Sequence, residues 1–465
     1  MPQVISLMSV LLGGFYLRKI SQSSTRMTKL IYFVIVYNLF IKFLIGNIGL
    51  PSLFNYLSDA IVLWMVLEFL YQKKYRLVPK SIRVCIGIFL FISIMSYMLN
   101  LYSPLLYAWG FRNNFRFLIF AMMCSVYLEK RDISTIMNIL ICFFFLNIVA
   151  VTYQRFFVSY SMGSAGDLIS GLYSNGFDRG GNGALNWLIC IVCAYVIVRY
   201  LYKQESIFFM MLVVTAAIYM AAAAEIKLFF LQLALIAILA VSFCKKSFRA
   251  AMFTSLVFVA LYFGMEIMYY FYPTFAGFFK PETILGYATK QTGYSGGGLD
   301  RLTVVPFVLE HYLHNPLERM FGIGLGNADY SSNFSFLLSR FYQTYSNNNY
   351  VWFHTAFLLI ELGFAGLISY VLIILNCARK AWSNRTTSVE EKAINNMTII
   401  LCVMAFMTII SSSVLRTDTA GFLGQCVLLF PFLLDKDADR SVSDAKVARS
   451  PIRIGMRRGR LVLIK

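Results

Sequence analysis

The sequence predicts an all-α fold, a polytopic integral membrane protein with about 13 transmembrane helices (roughly 12–14) and one large outer loop containing short helices. Three observations predict it. Of 465 residues, 59% are hydrophobic and only 14% are charged, with a mean hydropathy of +0.68; soluble domains carry about 25% charged residues. Apolar runs of about 20 residues, the length that spans hydrocarbon, recur along the whole chain. Basic residues gather in every second connection, as cytoplasmic loops require.

The runs place spans near 4–17, 30–46, 54–71, 84–99, 112–128, 134–153, 184–202, 207–224, 226–243, 250–270, 351–376, 396–413 and 420–434. The basic connections carry Arg18 to Lys29, Lys73 to Arg83, Lys130 with Arg131, Arg199 with Lys203, Lys245 to Arg249, and Arg379 to Lys392. Facing these to the cytoplasm puts the N-terminus outside and the C-terminus inside. The run from Ser206 to Cys244 is nearly twice the hydrocarbon thickness. It must break near Ala221 to Lys227, although no Gly, Pro or Asn marks a turn there. The domain reading is one transmembrane unit, 1–434, with an outer loop at 271–350 and a basic cytoplasmic tail, 435–465, expected to be disordered. A loop as long as 271–350 is usually functional.

The net charge is +19. In this setting it reflects loop asymmetry rather than nucleic-acid binding, because the tail has no aromatic-basic platform. That tail holds nine Lys/Arg against four Asp and suits contact with anionic membrane lipid. All nine Cys lie within or at the ends of apolar runs and read as small apolar side chains, not disulfides or metal ligands.

There is no P-loop, no H-E-x-x-H, no paired-Cys motif and no D-x-D in the sequence. Neither a metal nor a cofactor is expected. The turn Gly322-Ile323-Gly324-Leu325-Gly326 lacks the strand–helix context of a dinucleotide site; it reads as a glycine turn, with an anion-binding backbone nest as the other option. The remaining candidates are Arg179 before a span, Glu225 and Lys227 at the helix break, Arg301 in the large loop, and His354 at the start of a span. Each also has a plain reading. Arg179 could pair with Asp178 or reach headgroups, Glu225 and Lys227 could form a solvated turn, and Arg301 could open a helix capped by Asp300. His354 could be a satisfied interfacial histidine. His311 and His314 read as loop surface. Taken together, several cations and an imidazole on one membrane face suit a diphosphate.

The stretch Leu299-Asp300-Arg301, His314-Asn315-Pro316-Leu317, Gly322 to Gly326, His354, and Glu361-Leu362-Gly363-Phe364-Ala365-Gly366 resembles the O-antigen polymerase and O-antigen ligase family. Arg179 through Asn186 is similar to that family's Arg/Gly/Asn stretch before a span. The resemblance covers roughly 170–376. The sequence departs from the pattern at Thr303-Val304-Val305-Pro306, where many members carry Trp, at Thr355, where many carry Asn, and at Lys227, where many carry Arg. The resemblance implies a metal-independent membrane glycosyltransferase of the bacterial inner membrane, with an undecaprenyl-diphosphate-linked oligosaccharide as donor. Arg179, Lys227, Arg301 and His354 would bind the diphosphate. Arg301, His354 and Glu225 would be catalytic, with Glu225 as base. The expected activity is a surface-polysaccharide polymerase for O-antigen, capsule or exopolysaccharide, working with a chain-length regulator and a flippase. An O-antigen ligase acting on lipid A core is the alternative within the class. A flippase or transporter of lipid-linked glycan is the alternative outside it.

Overall fold

The computed structural model describes residues 25–160, 165–174, 181–243, 248–273, 301–384 and 388–434, with a few single residues between these segments and two short strands in the tail. The candidate span at 4–17 and Arg179 lie outside the described residues. The chain is helical, as its runs predict. The long helices are α1 (Arg26–Phe43), α2 (Leu57–Tyr71), α3 (Lys80–Asn100), α4 (Pro104–Tyr127), α5 (Lys130–Phe157), α6 (Asn182–Leu201), α7 (Ile207–Ala223), α8 (Lys227–Ser242) and α9 (Phe248–Phe271). Three short helices follow: α10 (Val304–His311), α11 (Pro316–Phe321) and α12 (Arg340–Tyr345). The bundle ends with α13 (His354–Ser383), α14 (Val389–Ser411) and α15 (Asp418–Leu428). Among the described residues, eight helical stretches are long and apolar enough to cross a membrane, while α7 and α8 are shorter apolar helices.

Local chemistry sets the ends. Glu129 and Asp132 form a capping box that starts α5, and the Ser388 hydroxyl caps α14. The long apolar run does break between α7 and α8, at Ala224, Glu225 and Ile226. Glu225 itself takes the left-handed conformation, φ 55°, which a glycine would ordinarily supply. In the large loop, α10 begins at Val304, after Thr303, rather than at Arg301. Pro306 falls in its first turn, where no intrahelical amide bond is lost.

The helix ends sort onto two opposite faces. On one, Lys130 Nζ lies 2.6 Å from Glu391 Oε1, Asn396 donates to the Tyr202 hydroxyl at 2.6 Å, and Asn384 donates to the Pro431 carbonyl at 2.9 Å. The other face is covered by the loop segment 301–353. There Trp109 Nε1 donates to the Tyr330 carbonyl at 3.0 Å, Tyr102 to that of Leu325 at 2.6 Å, and Ser52 to Asn333 Oδ1 at 3.1 Å. Much of this loop is packed structure. Val304, Val308, Tyr312, Tyr350, Phe353 and Phe357 belong to one buried apolar cluster. In the tail, Arg453–Arg457 pairs antiparallel with Arg460–Ile464, a short ribbon where the sequence expects no order.

One helix departs from the expected straight span. Within α13, Gly363 has φ 63° and ψ −164°, and the chain doubles back there. His354 and Tyr370 would be about 24 Å apart on a straight helix, yet their ring centroids are 4.7 Å apart. Residues 354–362 therefore form a buried half-helix leaning on 364–383. The glycine turn of the loop caps this break. The amides of Ile323 and Gly324 donate to the Ile360 and Glu361 carbonyls at 2.8 and 3.1 Å, and Ser96 Oγ donates to the Glu361 carbonyl at 3.0 Å. A broken helix must satisfy its freed carbonyls in this way. Those two amides are consumed by the fold, whereas the Gly326 and Ala328 amides hydrogen-bond to the Glu361 carboxylate, so the turn serves an acid of its own chain.

A candidate site at the broken helix

The half-helix carries His354 into the interior. The imidazole is 1% exposed, and neither ring nitrogen has a hydrogen-bond partner. Buried polar atoms are nearly always paired, so an orphaned imidazole needs explaining. On the same half-helix, Glu361 is buried with Oε1 unpartnered. Arg416 is the charged group that bears on both His354 and Glu361. It comes from the tight turn Val414–Arg416 between α14 and α15. Its guanidinium stacks 3.5 Å over the Phe357 ring, and Nη2 lies 2.8 Å from Asp329 Oδ2.

From Arg416 a chain of alternating groups runs across the bundle. Asp329 Oδ2 also accepts from Asn113 Nδ2 at 2.6 Å, and Asn113 Oδ1 accepts from Arg112 Nη1 at 2.7 Å. Arg112 pairs with Asp59. Asp59 Oδ1 lies 3.0 Å from Arg116 Nη1, which also lies 2.6 Å from Asp418 Oδ1. Arg116 is 8% exposed. Three cations and three anions thus balance in the interior, as buried charges must. Arg112 and Arg116 sit one turn apart on α4, so one helix face presents both guanidiniums. Glycine permits the close approach of α4: a Cβ on Gly110 would lie 2.3 Å from the Gly326 amide nitrogen.

The sequence-predicted residues divide between two places. His354 is in the site just described, although on a buried half-helix and not at the start of a continuous span. Glu225 and Lys227 form a second group at the α7–α8 turn, where Lys227 Nζ donates to Glu225 Oε1 at 2.8 Å. Nearby, Arg155 Nη1 donates to the Tyr272 hydroxyl at 3.2 Å, and that hydroxyl donates to the Ala223 carbonyl at 2.8 Å. Burial raises the Glu225 pKa above the usual carboxylate range, with Lys227 opposing the rise. The first turn of α6 lies between the two groups: Asn182 donates to Asp167 at 3.4 Å, and Gly183 faces Val414. Arg301 is exposed on the turn leading into α10; α10 itself packs on the half-helix. His311 and His314 are exposed, as the sequence suggests; His311 stacks on Phe307.

Sequence reasoning missed Asp59, Arg112, Arg116, Asp329, Arg416 and Asp418. A signal existed for two of them. Arg112 and Arg116 interrupt an otherwise apolar run, and ionisable groups inside such a run are functional or paired by default. Among the described residues, no group of three or more His, Cys, Asp or Glu could hold a metal ion. No protein-family model matches this chain, and no curated protein matches it in sequence.

Proposed function

We propose that the chain is a membrane glycosyltransferase that joins glycan repeat units carried on undecaprenyl diphosphate, working at the bundle face covered by 301–353. The carrying observation is the His354 imidazole, buried with both nitrogens unpartnered beside Arg416. An arginine and an imidazole at the start of a helix suit phosphate oxygens. The resemblance in Arg301, the glycine turn, His354 and Glu361 to Gly366 supports the same reading.

In this reading an acceptor hydroxyl attacks the anomeric carbon of the donor. The new glycosidic bond forms as the bond to the diphosphate oxygen breaks, and undecaprenyl diphosphate departs with the electron pair. Arg416 and Arg301 offset the charge that develops on the leaving group. His354 orients the diphosphate or takes the acceptor's proton. Lys227 would hold the donor further along the same face, and the resemblance implies the same role for Arg179. Glu361, on the same half-helix as His354 and with Oε1 unpartnered, is a second carboxylate for the role of base beside the salt-bridged Glu225. The membrane arrangement that goes with it has about 13 spans, the covered face outside, and the tail in the cytoplasm of a bacterium.

The test is polymer formation by purified protein from lipid-linked repeat units, with no core lipid added. Lengthened glycan from the wild type and none from His354→Ala is the expected result. Product only after core lipid is added would favour the ligase. A second reading, transport of lipid-linked glycan, draws on the doubling back at Gly363, since transporters use broken helices. Movement of labelled lipid-linked glycan across vesicles without any lengthening would favour it.

A further inference from the structure

On the face opposite the candidate site, α3 and α13 leave a groove of about 870 Å³. Its walls are apolar, with Val84, Leu372, Leu375 and Ile399 along its length. Lys80 and Arg379 stand at one end of those walls, in the first turn of α3 and the last turns of α13. Both are exposed, and neither makes an ion pair among the described residues. Trp382, also lining the groove, is 75% exposed. An indole at that level marks the boundary between headgroups and acyl chains. Apolar walls capped by two unneutralised cations and an interfacial indole match one ligand chemistry, a phosphate ester bearing acyl chains. A zwitterionic lipid brings its own cation beside the phosphate, so it offsets the two protein cations less than a lipid of net negative charge.

We infer that this groove is a binding site for an anionic phospholipid, with the headgroup phosphate held between Lys80 and Arg379 and an acyl chain lying along Leu372 and Leu375. Basic pockets between helices on the cytoplasmic side bind such headgroups. The site is separate from the glycosyltransferase reading and stands whatever the covered face does.

Tryptophan quenching by brominated lipid tests it. Full-length protein is reconstituted in phosphatidylcholine bilayers that contain a minor fraction of either brominated phosphatidylglycerol or brominated phosphatidylcholine. The contribution of Trp382 is taken as the difference between wild type and Trp382→Phe. Two surface cations should favour the anionic lipid at this site by on the order of tenfold in occupancy. Brominated phosphatidylglycerol should therefore quench the Trp382 contribution more strongly, and the preference should vanish in Lys80→Gln with Arg379→Gln. Equal quenching of the Trp382 contribution by the two lipids overturns the proposal. A preference that survives in the double variant overturns it as well. Native mass spectrometry gives a second reading: retained phosphatidylglycerol adducts on the wild type should be lost from the double variant, and wild-type protein carrying no such adducts would overturn the proposal.

Discussion

Arg416 Nη2 lies 2.8 Å from Asp329 Oδ2, joining the last inter-helix turn to the loop that covers the bundle. Both side chains are almost fully buried, so each depends on the other. Breaking a buried pair by removing one partner typically costs about 3–5 kcal/mol, because the remaining charge is stranded. Arg416→Met should lower stability by that order, measured by thermal unfolding in detergent. Adding Asp329→Leu should restore at least half of the loss, since an apolar pair leaves no stranded charge. No recovery in the double variant would mean that Asp329 matters chiefly to Asn113 and the Tyr330 amide.

The reversal at Gly363 should be intolerant of any side chain. Its φ of 63° with ψ of −164° is a region that only glycine occupies freely. A Cβ there would also fall 2.4 Å from the Met320 carbonyl carbon. Gly363→Ala should therefore cost about 1–3 kcal/mol in backbone strain alone, with displacement of α11 in addition. Gly87, which faces open space, should accept Ala without loss of folded protein. Equal yields of monodisperse protein from the two variants would show that α13 does not double back.

Burial raises the Glu225 pKa, and Lys227 counteracts part of that rise. A carboxyl with a raised folded-state pKa contributes stability fully below its unfolded pKa of about 4.3 and loses it as pH climbs through the folded value. Lys227→Met removes the counteracting charge and should enlarge the loss of thermal stability between acid and neutral pH. Glu225→Gln should abolish that component in either background. Melting curves recorded across this range would settle it, and identical pH profiles for wild type and Lys227→Met would refute it.

The face covered by 301–353 should lie outside. Ser332 is exposed there, and Ser383 is exposed on the opposite face. In intact cells, Ser332→Cys should react with an impermeant maleimide, whereas Ser383→Cys should react only after lysis. The reverse pattern would overturn the topology together with the proposed chemistry.

Much of the bundle was legible because an apolar run declares its own length. The apolar run at 184–202 is helical over Asn182–Leu201, and the run at 207–224 over Ile207–Ala223, the latter as a shorter apolar helix. Even the break at Glu225 followed from length, without a glycine to mark it. The reversal at Gly363 was not legible. Residues 362–375 read as one apolar run, and the two glycines near its start ordinarily pass without a bend. The motif Glu361-Leu362-Gly363-Phe364-Ala365-Gly366 carries part of the family resemblance, but its glycines first make the fold. Gly363 supplies the reversal, and Gly366 leaves room for Leu362. The charge network was half legible. Arg112 and Arg116 announce that acids must face them, but nothing local names Asp59 or Asp418, which only tertiary packing brings to α4.

The last prediction separates chemistry from support around His354. If the imidazole and Arg416 act on a diphosphate, both must contact charge that develops in the transition state. Losing one such contact costs about 3–4 kcal/mol, on the order of 100- to 1000-fold in rate. His354→Ala should show that loss at normal protein level, because the imidazole nitrogens make no hydrogen bond for the fold to miss. Arg416→Lys should also lose synthesis. A lysine can keep the charge opposite Asp329 but cannot present the planar fork or stack as well on Phe357. Arg301→Lys tests whether the exposed loop arginine joins them; the proposed role requires a loss of similar size. His311→Ala and His314→Ala should remain near wild type, since both rings are exposed and away from the broken helix. Polymer length and protein level measured for the five variants in parallel decide the matter. Equal loss in all three histidine variants, or normal synthesis by His354→Ala, would remove His354 from the chemistry and leave it a packing residue against Tyr370.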